Sequence, residues 1–350
     1  MKLSIALALL GGAVLLLLGL QLWWATRRAR RQQGLDAIMQ AERVDPPLGA
    51  DAAGDGGPDT VPDPRAVAEL RNRRMPRLDA LIDAIVPLAL DAPITGELAL
   101  AHLPPTRRAG SKPFYIEGLD TEGGEWEPLA AGRRYGELQA GVQLASRSGA
   151  LNEIEYSEFL SKVQTFADAV GAAIAGAEVP DMIEVVARAR ELDALASPLD
   201  AQLTVTLRAK GVAWSVGYVQ QVAAKLGFVA GALPGRLVLA SAEEDAPPML
   251  VLAMDAQAAL ADDAQGSAIR VCTLTLDVPQ TAAPLEPFPA WHLAARQLAD
   301  DLDATLGDDH GEPITLHAFA GIGQELDGLY LRLEALDLAA GSPSARRLFS

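Results

Sequence analysis

The sequence predicts an α+β fold: an N-terminal transmembrane helix, then antiparallel sheet packed against helices on one face, with the α+β unit a candidate duplication. Three observations predict it. Residues 3–25 carry no charged side chain. Beyond residue 66, short strand-like runs give way to helical runs with apolar residues at three- and four-residue steps. The closing pattern of strand and amphipathic helix occurs twice, with TFADAVGAA at 165–173 resembling QLADDLDAT at 297–305.

The first element is LSIALALLGGAVLLLLGLQLWWA, residues 3–25. As a helix it would reach about 35 Å, enough to cross a hydrocarbon core of about 30 Å. Trp23 and Trp24 stand at its far end, where indoles favour the membrane interface, and Arg27, Arg28, Arg30 and Arg31 follow. Only Lys2 precedes it, so the positive-inside rule predicts a periplasmic N-terminus and a cytoplasmic body. A cleaved signal peptide would carry its charge in front of a shorter core that ends in a small-residue cleavage site, whereas here the core is longer, the charge cluster follows it and tryptophans occupy the cleavage position.

Residues 26–65 form a basic flank followed by PPLGADAAGDGGPDTVPDPR, a linker of five prolines and four glycines in twenty residues. Residues 66–198 are expected to form a first α+β domain. VPLALDAPITGELALAHLP (86–104), FYIEGL (114–119) and ELQAGVQLAS (137–146) read as strand-rich. A helix is expected from Asn152, burying Tyr156, Phe159, Val163 and Phe166, and another after Pro180 and Asp181.

Residues 199–350 restart the pattern. In LTVTL, Leu203, Val205 and Leu207 alternate with Thr204 and Thr206. A helix over 214–226 should end at Gly227. RLVLAS (236–241), PMLVLAM (248–254) and IRVCTLTLDV (269–278) read as strands. A helix from Ala290 should bury Trp291, Ala294, Ala295, Leu298, Leu302 and Leu306, and the last helix should run over 323–338.

The chain has 350 residues, 29 basic against 46 acidic, for a net charge of −17. Five of the basic residues precede position 32 and no acid precedes Asp36, leaving 24 against 46 in the remainder. So acidic a body is a poor match for a phosphate backbone, so no nucleic-acid partner is expected. The single cysteine, Cys272, excludes an intrachain disulfide, and in an alternating strand it reads as a small buried hydrophobe. His310 beside Asp308 and Asp309 reads as a solvated turn, because adjacent residues rarely converge on one ion. His102 and His317 read as half-buried strand residues and His292 as a solvent-facing helix residue. No nucleophile elbow, phosphate loop or dinucleotide fingerprint is present, so neither an enzyme, a cofactor, a metal nor a small-molecule substrate is expected.

The order of anchor, basic flank, Pro-rich linker and α+β domain resembles the ZipA family of bacterial division proteins, which tether FtsZ to the inner membrane. The motifs lie in the last 150 residues: the Gly227–Phe228 pair followed by Gly231, the PPMLVLAM strand, and the strand ending in Asp277–Val278–Pro279 before QLADDLDATLGDD. The linker is shorter and more acidic than the family's. The resemblance implies a domain that holds the C-terminal tail of FtsZ, as a helix, in a groove on the exposed face of its sheet. Carried onto this chain, the groove positions are Gln202, Thr204, Leu233, Val238, Met254, Ala256, Thr273 and Thr275. Several are threonine where the family carries larger apolar side chains. The implied function is a division-ring adaptor at the division site, with inner-membrane lipid and FtsZ as its partners. The other reading is a bitopic scaffold that binds a different envelope or division protein through residues 66–198.

Overall fold

The computed structural model describes residues 77–174, 178–260, 268–308, 314 and 316–350. The expected fold class, which led with a transmembrane helix, is corrected: the described residues form antiparallel sheets and helices, and no helix among them is long and apolar enough to cross a membrane. The longest described helix, Leu316–Ala335, carries Glu325, Asp327, Arg332 and Glu334, charges that a bilayer would have to bury. The segment read as an anchor, with Trp23, Trp24, Arg27, Arg28, Arg30 and Arg31, lies outside the described residues, as does His310.

In the first half the chain forms β1 (Asp83–Leu90), β2 (Ile94–Thr95), α1 (Gly96–Ala101), β3 (Arg108–Ala109), β4 (Lys112–Asp120), β5 (Trp126–Pro128) and β6 (Arg134–Gln143). A hairpin of β7 (Ala145–Ser146) and β8 (Gly149–Ala150) leads to α2 (Glu153–Val170), β9 (Ala172–Ile174) and α3 (Met182–Ala196). After a short 3-10 turn the second half forms β10 (Gln202–Ala209), β11 (Trp214–Ser215), α4 (Val216–Lys225), β12 (Val229–Ala230), β13 (Arg236–Leu239), β14 (Leu250–Met254) and α5 (Ala256–Leu260). β15 (Ala268–Ile269), β16 (Val271–Asp277), α6 (Pro287–Asp301), β17 (Ala304–Gly307), α7 (Leu316–Ala335) and α8 (Pro343–Leu348) complete it.

The two sheets share one plan. The first is ordered β3-β4-β6-β1-β9 and the second β12-β13-β14-β16-β10-β17. In each, the opening strand lies between the strand before the long helix and the strand after it, antiparallel to both. Ala172 lies opposite Leu90 and Ala304 opposite Ala209, the same register that aligning TFADAVGAA with QLADDLDAT requires. Helices cover one face of each sheet. On the first, Phe159 of α2 meets Phe114 of β4 edge-on, 5.5 Å between ring centroids. On the second, Trp291 of α6 is buried and its indole N–H donates to the Leu274 carbonyl at 3.2 Å.

Local chemistry explains where several elements begin and end. Asn152 caps α2 through a reciprocal capping box with Glu155, and Gly171 closes it at φ +72°. Three expectations are corrected. Residues 96–101 form α1 rather than strand, because Thr95 caps a turn in which the alternating Leu98 and Leu100 are exposed and Ala99 is buried. His102 accordingly ends a helix and is exposed. The helix through QLADD stops at Asp301, Asp303 turns the chain at φ +50°, and Leu306 becomes part of β17. α7 begins at Leu316, so the backbone of His317 is helical.

One buried apolar cluster runs through both halves, and all the described residues lie in one compact unit. Two clasps join the halves. Arg147, at the tip of the β7–β8 hairpin, pairs with Asp200 and Asp277 of the second half. The C-terminal helix α8 returns to the first sheet, where the Arg347 guanidinium pairs with buried Asp83 and lies 4.9 Å from the Tyr115 ring centre. Burial raises the Asp83 carboxyl above its ordinary range, opposed by the charge of Arg347.

Candidate functional site: the open face of the second sheet

Strand pairing sorts the second sheet into two faces. Val205, Leu274, Leu252 and Leu237 lie in one register row and are all buried against the helices. The next row, on the opposite face, runs Thr204, Thr275, Val251, Val238 and Val229 across five strands. At about 4.8 Å per strand this row is roughly 19 Å long. Beside it lies a second row, Thr206, Thr273, Ala253 and Arg236. Except for Val229 and Arg236, which are exposed, these residues are half-buried, as expected for a sheet face flanked by neighbouring side chains and, among the described residues, left uncovered by helices.

Thr204, Thr273, Thr275 and Val238 share this face, and Gln202 stands at its end, where its amide donates to Asp277 at 3.0 Å. Met254 is corrected: it pairs with buried Cys272 in the register of Leu250 and Leu252, and so faces the helices. The motif PMLVLAM concealed this because both of its faces are apolar. Leu233 and Ala256 are not on the sheet. Leu233 is exposed in the loop before β13, and Ala256 starts α5 after β14. Gly235 brings these two segments together, since a Cβ there would meet the Met254 carbonyl oxygen at 2.7 Å. Val251, Ala253, Val229, Thr206 and Arg236 were not anticipated. The alternation around buried Leu252 is the signal that would have found the first two.

Chemically the face is a mild apolar strip with hydroxyls along its centre. Thr204 and Thr275 hydrogen-bond each other across strands at 3.1 Å, so each leaves methyl surface rather than an unpaired hydroxyl. One end is acidic, where Asp277 and Asp200 share Arg147, and those carboxylates hold the guanidinium more firmly protonated than usual. The other end carries exposed Arg208 and Arg236. A guest laid along this row meets side chains rather than strand backbone, so its own backbone groups must be satisfied internally.

The corresponding face of the first sheet is occupied by the chain itself. Leu78 lies over Gly141, where a Cβ would come within 2.5 Å of the leucine, and the backbone N–H groups of Arg77 and Leu78 donate to the buried carboxylate of Glu117. Glu117 and Gly141 correspond in register to Ala253 and Thr275 of the second sheet.

Elsewhere, Cys272 is buried and its thiol is pushed up to about 12 by burial. His292 is half-buried rather than solvent-facing: its ring lies 4.2 Å from that of Phe319 in a tilted arrangement, and burial together with the nearby Arg296 lowers its pKa. Among the described residues no group of His, Cys, Asp and Glu side chains is arranged to hold a metal ion. Comparison with family models and with curated proteins finds no match for this chain.

Proposed function

We propose that this protein is a division adaptor that binds the C-terminal tail of FtsZ on the open face of its second sheet, doing its work by tethering rather than turnover. The observation that carries the reading is the uncovered row Thr204, Thr275, Val251, Val238 and Val229. A short amphipathic helix satisfies its own backbone and can lay an apolar stripe along such a row. The motifs shared with the ZipA family supply the identity of the guest. The threonines reduce the apolar area available, so a single contact is weak, and many chains along one polymer add through effective concentration. Association with the inner membrane belongs to the same proposal and rests on the sequence of residues 3–31. The alternative scaffold reading, through residues 66–198, has less support because the matching face of the first sheet is already occupied.

Titration calorimetry of the full chain with a synthetic FtsZ tail peptide tests the proposal. Binding should be weak and saturable, and Val251→Glu should abolish it while leaving the circular dichroism unchanged. No heat with the tail peptide, or unaltered affinity in Val251→Glu, would refute it.

A further inference from the structure

The outer edge of β4 is shared by two short strands. β3 pairs with Lys112 and Pro113, and β5 pairs with Glu117, Gly118 and Leu119. Among the described residues neither strand pairs with Tyr115 or Ile116 on that side, so a gap opens between them. Arg107 stands at the gap because its carbonyl accepts the Phe114 N–H at 3.0 Å. The gap holds a cleft of about 70 Å³. Leu100, Leu103, Pro128 and Leu129 line it together with Tyr115 and Ile116. A cavity of about 150 Å³ admits benzene, so roughly half that volume suits a branched group of about four carbons.

Two guanidiniums complete the lining, and both side chains are exposed. Arg77 lies 5.5 Å from the Tyr115 ring centre. Among the described residues no carboxylate pairs with Arg77 or Arg107. Glu117, the acid lining the cleft, is buried and its oxygens are already used. Its Oε1 accepts the backbone N–H groups of Arg77 and Leu78, and its Oε2 accepts from Gln139 Nε2 at 3.1 Å. Arg347, which lies over the same Tyr115 ring, is committed to Asp83. The cleft therefore offers an apolar interior and two cations whose hydrogen-bond donors are unspent.

We propose that this cleft binds a carboxylate carried beside a branched, isobutyl-sized apolar group, as presented by a free short-chain acid or by a C-terminal leucine. The apolar group enters among Leu103, Ile116 and Leu129, where its removal from water drives binding. The carboxylate stays at the mouth with Arg77 and Arg107, whose planar forks match its two oxygens. A neutral guest of the same shape loses that match, and a guest with a bulky ring finds no room. The inference is independent of the tail-binding reading, because the cleft lies at the edge of the first sheet and the tail is placed on the second.

Saturation-transfer NMR with the full chain tests this, with 4-methylpentanoate as the free acid and N-acetylglycylleucine as the chain end. At least one should bind saturably with a Kd of about 1 mM, the strength expected of roughly eight to sixteen non-hydrogen atoms at a shallow site. Binding of the first alone identifies a free acid as the guest, and binding of the second alone identifies a chain end. The amide of whichever guest binds should bind at least about tenfold more weakly, for want of a charge-assisted contact. Arg107→Glu should weaken the acid by about tenfold or more with circular dichroism unchanged, since that side chain is exposed. Arg77→Ala should weaken it in the same direction and serves as the second variant. The proposal is overturned if neither guest binds by about 10 mM, if the amide equals the acid, or if both variants bind as the wild type does.

Discussion

Arg147→Ala should weaken the union of the two halves more than any other single surface change. Arg147 Nε lies 3.0 Å from both carboxylate oxygens of Asp200, and its Nη1 and Nη2 lie 2.7 and 2.9 Å from those of Asp277. Hydrogen bonds to charged groups contribute about 1.5–3 kcal/mol each, so two carboxylates suggest roughly 3–6 kcal/mol. The three side chains are 26%, 28% and 21% exposed, so solvent screens part of this. A discount of about half leaves roughly 1.5–3 kcal/mol. Truncation also leaves Asp200 and Asp277 facing each other with their shared cation removed. Urea unfolding at neutral pH, followed by circular dichroism, measures the loss directly. Arg147→Lys should recover only part of it, because an ammonium cannot fork onto two carboxylates. A double-mutant cycle with Asp277→Asn should return a coupling of about 1 kcal/mol or more. A loss under about 0.5 kcal/mol for Arg147→Ala, typical of an exposed ion pair, would refute the clasp.

Three further outcomes are expected. Replacing Thr204 and Thr275 together by valine exchanges a mutually satisfied hydroxyl pair for methyl groups. Stability should change by less than about 0.5 kcal/mol, and the FtsZ tail should bind at least about threefold tighter by calorimetry, given ~0.8 kcal/mol per buried methylene-sized group. Glu155 has its pKa set by burial, which raises it, and by hydrogen bonds from Ser111 and Asn152, which outweigh that and lower it overall. Its stabilisation is therefore present above the unfolded value and lost as pH falls through the lower folded value, so Glu155→Gln should flatten the fall in stability below about pH 5 seen on acid titration. Trp291→Phe removes the donor to the Leu274 carbonyl and leaves a void beneath the second sheet; thermal unfolding should show a loss of about 1–3 kcal/mol.

Much of the fold could be read from local pattern. Asn152 and Asp181 cap helices where capping residues were expected, and LTVTL forms a strand with its leucines and valine inward. Such signals are legible because each depends on residues only a few positions apart. The open face was legible in part. Thr204, Thr273 and Thr275 alternate with large apolar residues, so their side of the sheet follows from period two. Met254 misled because PMLVLAM is apolar on both faces, and only pairing with Cys272 shows which way it points. α1 misled because ELALA alternates like a strand, while the Thr95 cap makes it helical.

The sequence alone determined the acidic body, the lone cysteine, most element positions and the paired closing motifs, all of which depend on composition or short spacing. Only the tertiary structure decided that the first sheet's free face carries Leu78 and the Arg347 side chain while, among the described residues, no helix lies across the half-buried matching row of the second sheet. It alone brought Lys112 to Ser146 and Ser148, and Arg147 to Asp200 and Asp277. These last contacts join residues 34 to 130 positions apart. Side-chain patterning along a chain reports which residues seek the interior, not which distant partner they meet there.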